Sequence, residues 1–325
     1  MRLPKILITT YHEAFLHRGG GEFEIAMISN ALKKHGLVAD NYGPYSQDIS
    51  SYDAILHFSV EASGLNLLRQ IKSAGKPIIL SPNLFIKENN STISALVSEF
   101  MDISDIIIFK SESEKKDFSR FFEAPSNKVR LVSQFVDNGI MKRAPEGLFS
   151  SLYGVQNYAI GVGIIEPGKN QLMAIKAANQ LSLPLVLVGN YRDYDYYQAC
   201  KNEAPSNTLF ITSLPYHSEI MRSALQGSSL YIEVTPEPAG FSAIEAGLSG
   251  CSMVLADTEW SNEHFGDYAN YVDPESVDSI KDGMSLALDS ENVNDELPKR
   301  LKHHLSEQNI NVLFDILLEA SAVNE

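Results

Sequence analysis

The chain is poor in cysteine, in tryptophan and in positive charge. Its 325 residues include only two cysteines, Cys200 and Cys251. That excludes a disulfide scaffold or a cysteine metal centre and reads as two buried thiols in a reducing compartment. The 26 Lys and Arg against 41 Asp and Glu, a net charge of −15, exclude a dedicated duplex-DNA binder, which needs clustered positive charge. No apolar run approaches the roughly 18 residues that cross a bilayer. The apolar part of the opening MRLPKILITT is too short for a signal peptide, so a cytoplasmic protein is expected. Hydrophobic residues at 44 % and charged residues at 21 % exclude disordered and fibrous classes.

What is present is uneven. Residues 1–145 hold 17 Lys and Arg against 16 Asp and Glu, and the remaining 180 residues hold 9 against 25. A near-neutral first half and an acidic second half, at a length of about two domains, support two separate units. Short β-branched runs alternate with helical periods throughout. Strands are expected at 5–10, 54–59, 77–81, 105–110 and 129–133, then at 158–162, 183–188, 208–212, 229–234 and 252–256. Between them, Ile25, Ile28, Ala31 and Leu32, or Leu65, Leu68 and Ile71, repeat at helical spacing, with left-handed C-caps expected at Gly36 and Gly75. In the second half, helices are expected at 171–181, 217–225 and 242–248. Strands separated by helix-length segments imply parallel βαβ units, hence an α/β chain of two Rossmann-like, doubly wound domains. Their extents are expected as 1–145 and 153–305, joined by a polar linker over 138–153. The amphipathic helix 306–320 is expected to return to the first domain. Open α/β sheets bind ligands beyond the carboxyl ends of their strands, so the expected site is a cleft faced by both domains.

The residues that carry chemistry are expected in the loops after strands. Gly19-Gly20-Gly21-Glu22 follows the first strand, where glycines let backbone amides approach a phosphate at a helix N-terminus; a flexible loop would read the same. The run Gly161 to Gln171 follows the first strand of the second domain and contains Gly163 and Lys169. Lys169 is expected to open the next helix, where a cation beside free amides can hold a diphosphate; the alternative is a solvated surface lysine. The segment Glu237-Pro238-Ala239-Gly240-Phe241-Ser242-Ala243-Ile244-Glu245 places a loop carboxylate eight positions before a helical one. Glu237 can accept sugar hydroxyls, Glu245 a vicinal diol such as ribose, and the amides of Phe241, Ser242 and Ala243 can face an anion. Ser242 to Glu245 also fits a capping box, which alone would explain Glu245.

In that order the motifs resemble those of retaining GT-B glycosyltransferases of family 4, the glycosyl transferases group 1 type, over nearly the full length. Gly19 to Glu22 resembles the family's N-domain Gly-Gly turn, Ser104 to Glu114 its "aDxiixxSexe" segment, Gly163 to Asn170 its "GRxxxxKN" stretch, Leu185 to Gly189 its "LxIvG" strand, and Glu237 to Glu245 its E-x7-E motif. The resemblance implies transfer of a hexose from a nucleotide-diphosphate sugar to a glycan or lipid-linked acceptor with retained anomeric configuration, in polysaccharide biosynthesis. Neither metal nor other cofactor is implied. Glu237 would contact the donor sugar and Glu245 the ribose; Lys169, with amides near Gly20 and Phe241 to Ser242, would hold the diphosphate; Gly19, Gly21, Gly163, Gly240 and Ala243 would line the donor site. The donor is expected mostly on the second domain and the acceptor on the first. Three positions depart from the pattern: Ile164 occupies the arginine slot, Asn83 a histidine slot where it can bond a sugar hydroxyl, and Ser133 to Asp137 replaces "PNGVD". Arg18, beside the glycine turn, is a candidate replacement for the missing cation.

Two alternatives keep the fold: a noncatalytic nucleotide-sugar-binding subunit of a transferase complex, and a nucleotide-sugar epimerase, against which the E-x7-E segment speaks. Lys115, Lys116 and Arg120 interleaved with Phe118, Phe121 and Phe122 allow association at the inner face of a membrane, but read better as a core-facing aromatic stripe with solvated cations. His57 reads as structural, and His303-His304 as surface. Tyr191, Tyr194, Tyr196 and Tyr197 form an aromatic cluster that either stacks a ring or covers an edge.

Overall fold

A computed structural model of the chain describes residues 3–16, 20–86, 88–289 and 296–322. They form two compact units, the described residues of Met1–Phe135 with His304–Glu325, and Val136–His303. In the first unit β1 (Lys5–Thr9), β2 (Val38–Asn41), β3 (Ala54–Phe58), β4 (Ile78–Ser81), β5 (Ile106–Phe109) and β6 (Val129–Leu131) pair in parallel in the order β2-β1-β3-β4-β5-β6. In the second, β7 (Ala159–Val162), β8 (Leu185–Val188), β9 (Leu209–Ile211), β10 (Leu230–Glu233), β11 (Met253–Ala256) and β12 (Ala269–Val272) are parallel in the order β12-β11-β10-β7-β8-β9. The helices of the first unit are α1 (Gly20–Lys34), α2 (Ala62–Ser73), α3 (Ser91–Ile103) and α4 (Glu112–Ser119). The second has α5 (Leu148–Tyr153), α6 (Gln171–Gln180), α7 (Tyr194–Glu203), α8 (Glu219–Gln226), α9 (Phe241–Leu248), α10 (Glu259–Phe265), α11 (Val277–Asp289) and α12 (Glu296–Leu301). Then α13 (Ser306–Ala322) returns to the first.

Strand periodicity explains the layering. Ile6, Ile8, Leu56, Ile106 and Ile108 point to one face of the first sheet, where Ile25, Ile28 and Leu32 of α1 and Ile310, Leu313 and Leu317 of α13 cover them. Leu7, Ile55, Leu80, Ile107 and Phe109 alternate to the other face, under Leu68, Phe100 and Phe118. A strand apolar on both sides needs a helical layer on each, and a fully buried Leu or Ile contributes about 1.5–3 kcal/mol. The aromatic stripe over α4 and the residues after it is therefore core, with Phe118 and Phe122 buried. The second sheet packs Ala159, Leu185, Leu187, Leu230 and Ile232 against α6 and α11 through Ile175, Ile280 and Met284.

The expected stops hold. Past α1, Gly36 has φ +94 and Leu37 N–H bonds Leu32 O at 3.0 Å, and past α2, Gly75 has φ +71, as left-handed C-caps require. Three expectations need correction. The edge strands β2 and β12 were not anticipated; VADN and ANYV carry too few apolar residues for a periodic signal and rest on one neighbour each. The segment 138–153 is no linker: Phe149 is fully buried against Tyr158, and its amide donates to Ser223 Oγ at 3.0 Å. His304 is not on the surface but buried, its Nδ1 3.2 Å from Gln134 O.

The two orders differ where they reverse. The first sheet turns back between β1 and β3, the second between β7 and β10. Loops after those strands are where an open α/β sheet leaves room for a ligand.

Candidate functional site

In the second unit the loops after β7 and β10 are stitched together. The Thr235 hydroxyl donates to Gly168 O (2.9 Å) and accepts from the Glu237 amide (3.1 Å). Asn170, at φ +58, donates from Nδ2 to Val234 O (3.1 Å) and Pro274 O (2.8 Å). The Glu237 carboxylate lies against Gly168, where a Cβ would come within 3.2 Å of Oε1. Lys169 does not open a helix; it ends the 3-10 turn Pro167–Lys169, and α6 starts at Gln171. Its Nζ lies 3.6 Å from Glu233 Oε1. Gly163, Lys169, Gln171 and Glu233 line one cavity of about 20 Å³.

The capping box that Ser242 to Glu245 offered as an alternative is not formed. The N-cap is Gly240, at φ +85, and α9 begins at Phe241. A glycine brings no side-chain oxygen to the first-turn amides, so the N-terminus of α9 has no side-chain cap. The Ser242 hydroxyl instead reaches Glu233 Oε2 at 3.4 Å, Ala243 is buried, and the Phe241 ring lies 5.8 Å from that of Tyr216. Glu245 is buried, with Oε1 lacking a hydrogen-bond partner and His217 Nε2 3.7 Å away. Burial pushes its carboxyl up to about 8; a hydrogen bond with Tyr216 opposes this and Asp137 adds to it. His217 adopts φ +57, its ring 3.6 Å from that of Tyr216, and Arg222 Nη1 donates to its carbonyl at 2.7 Å. A carboxyl held toward its protonated form by burial can trade one buried hydrogen-bond partner for another.

In the first unit Gly20 and Gly21 open α1, while Gly19 and Arg18 lie outside the described residues. Asn83, at φ +43, follows β4; a Cβ on Gly21 would lie 3.4 Å from its Nδ2. Asn83 Oδ1 accepts from Lys110 Nζ at 3.0 Å, and Lys110 pairs with buried Glu24 at 2.6 Å. Burial would lower the Lys110 ammonium, but Glu24 and Glu114 outweigh it and hold it above its usual range. His57, fully buried at the end of β3 with Nδ1 2.8 Å from Thr9 Oγ1, is lowered to about 4 by burial and is neutral.

The structure thus brings together Gly163, Lys169, Glu237, Gly240, Phe241 and Ser242 in one unit, and Gly20, Gly21 and Asn83 in the other. Glu233, Lys110, Glu24, Tyr216 and His217 escaped the sequence reading. Glu233 and Lys110 sit at the ends of apolar strand runs, and a charge closing such a run was the signal available. The four tyrosines split: Tyr191 stacks on Tyr197 at 4.5 Å, while the Tyr196 hydroxyl accepts from the Leu172 amide at 3.0 Å. Both cysteines are buried free thiols. Among the described residues no helix is long and apolar enough to cross a membrane.

Residues 150–306 match the family model of glycosyl transferases group 1. This segment is a group 1 glycosyl transferase domain. Three solved structures share the architecture of the whole chain. Anabaena HepE in complex with UDP and glucose is 15 % identical, with a TM-score of 0.75 over 98 % of this chain and 99 % of that one. Sucrose-phosphate synthase from Thermosynechococcus elongatus is 12 % identical, with a TM-score of 0.73 over 98 % of each chain. A glycosyltransferase from Rickettsia africae is 12 % identical, with a TM-score of 0.75 over 99 % of this chain and 98 % of that one. No curated protein matches the chain. At these identities the structures establish the fold, GT-B with two Rossmann-like domains, and the transferase domain supplies the second of them.

Proposed function

We propose that the chain is a retaining glycosyltransferase that moves a hexose from a nucleotide-diphosphate sugar to a glycan or lipid-linked acceptor. The observation that carries this reading is the convergence, at the switch point between β7 and β10, of a lysine, a loop carboxylate and a helix N-terminus capped only by glycine. Lys169 and the amides of Phe241 and Ser242 neutralise the departing diphosphate without a metal, Glu237 holds the donor sugar and Glu245 the ribose. Preorganised donors aimed at developing negative charge are the largest source of rate in such sites. The UDP and glucose held by the Anabaena HepE structure support a nucleotide sugar as donor. The first unit takes the acceptor, beside Asn83 and a cavity of about 190 Å³ lined by Tyr11, Phe15 and Tyr42. Its chemistry is carried out in the cytoplasm, at or near the inner membrane face.

Melting curves with UDP, GDP and ADP test the donor site. One nucleotide raises the midpoint, since a ligand at ~100 times its Kd adds about 2.7 kcal/mol. Lys169→Ala abolishes that shift and lowers turnover by roughly 10²–10³, as loss of one charged donor does in oxyanion sites. No shift with any nucleotide, or an unchanged shift in the variant, refutes the assignment. Mass spectrometry of donor with candidate acceptors separates transfer from epimerisation. A second reading, a noncatalytic binding subunit, has one observation behind it, the uncharged Ile164 beside Lys169's loop. It predicts nucleotide binding with no glycosylated product.

A further inference from the structure

Glu233 is the last residue of β10, the one charge in a strand that otherwise reads Leu-Tyr-Ile, and it is 9 % exposed. A carboxylate at that depth is expensive unless it is partnered. Its partners come from three elements. The Tyr231 hydroxyl on the same strand donates to Oε2 at 2.7 Å, the Ser242 hydroxyl from the first turn of α9 reaches Oε2 at 3.4 Å, and Lys169 from the turn after β7 lies 3.6 Å from Oε1. A second carboxylate, Glu237, lies over Gly168, the neighbour of Lys169. Of these partners, Lys169 is the cation assigned above to the diphosphate, and Ser242 is the residue whose amide is assigned to it.

We infer that Glu233 is a positioning residue of the donor site: it holds Lys169 and Ser242 in register while the site is unliganded and takes up a proton when a diphosphate claims the lysine. This rests on the diphosphate reading of Lys169. A diphosphate brings two negative charges to one ammonium, and Ile164 offers no second. Leaving Glu233 ionised would then place a third negative charge in a desolvated pocket with its counter-ion drawn away. A like charge close by disfavours the ionised form of a carboxyl and raises its pKa. Burial already holds Glu233 above the usual carboxylate range against Lys169, Tyr231 and Ser242, and withdrawal of Lys169 to a diphosphate pushes it the same way. The proton comes from solvent onto one carboxylate oxygen, and no bond of the donor changes.

Calorimetric titration with UDP-glucose, GDP-mannose and ADP-glucose in turn, in buffers of different ionisation enthalpy between pH 6 and 8, tests this. Their diphosphate diesters do not titrate in that range, so any proton taken up goes to the protein. The wild type takes up a substantial fraction of one proton per ligand bound, and affinity falls with rising pH by up to about tenfold per unit. Glu233→Gln, which keeps the shape and a side-chain carbonyl for Tyr231, binds with the uptake and the pH slope removed. Glu245→Gln binds more weakly but keeps the uptake. Tyr231→Phe, which strips one donor from the carboxylate, moves the uptake to higher pH and stands in should Glu233→Gln fail to fold. Binding without uptake in the wild type, uptake retained in Glu233→Gln, or uptake lost in Glu245→Gln overturns the role of Glu233 and leaves the donor site intact. Binding of none of the three sugars overturns the donor site and this inference together.

Discussion

The two units share a plan, six parallel strands between helical layers, but treat buried ionisable groups in opposite ways. At the strand ends of the first, the ammonium of Lys110 is held charged by Glu24, while His57 is buried in its neutral form. At the strand ends of the second, Glu245 and Glu233 are both pushed toward the protonated acid. The same architecture therefore responds to acid in one half and to base in the other. The difference teaches that the fold supplies positions, whereas the charge state at each position follows from which partners the loops deliver there.

The sharpest test of the second unit's loop geometry is Gly189→Ala. A Cβ there would lie 1.9 Å from Gly163 O, so the loops after β7 and β8 must part. The expected loss is about 5 kcal/mol or more, in the range that marks a severe backbone clash, read as denaturant midpoint with hydrogen-exchange protection lost first in β7 to β9. Next is Glu245. Its folded carboxyl at about 8 against 4.5 unfolded means that the folded state keeps a proton the unfolded chain releases. Stability is full below pH 4.5 and declines by up to about 5 kcal/mol as pH rises through 8. Glu245→Gln flattens this decline, and a wild-type melting point that does not fall between pH 6 and 8.5 contradicts it.

His57 gives the opposite slope. Its pKa falls from 6.5 to about 4 on folding, so stability is full above pH 6.5 and is lost as pH falls through 4. The loss is up to about 3 kcal/mol. His57→Gln removes that slope, seen in melting points from pH 7 to 4 and in local exchange of β1 and β3. The smallest effect is expected from Glu319→Ala, which breaks the exposed pairing of Arg130 with α13. That change is below about 1 kcal/mol, and a larger one in urea denaturation would mean that α13 depends on this pair more than on its buried Ile310, Leu313 and Leu317.

Much of the fold was legible because its signals are local. Short β-branched runs such as Ile6-Leu7-Ile8 and Ile106-Ile107-Ile108 read as strands buried on both faces, and Gly36 and Gly75 mark where helices stop. The edge strands β2 and β12 were not legible, since VADN and ANYV break their apolar residues with Asp or Asn, whereas the edge strands β6 and β9 sit in the clearer runs Val129–Val132 and Leu209–Ile211. Among candidate residues, the order of Gly163, Lys169, Glu237 and Glu245 could be read from their places after strands. For Ser242 the sequence left two readings open, a donor-site residue and the N-cap of a capping box; the structure makes Gly240 the N-cap and puts the Ser242 hydroxyl 3.4 Å from Glu233 Oε2.

From sequence alone come the alternation of strand and helix, the two-unit division in outline and the loop positions where glycines and carboxylates cluster, because period and backbone freedom are properties of neighbouring residues. Tertiary structure decided that 138–153 belongs to the second unit, that the sheets reverse at β1/β3 and β7/β10, and that Glu233 meets Lys169. It also decided which carboxyls keep their protons. Burial and charge pairing are set by groups far apart in the chain, and no local pattern encodes the depth at which they meet.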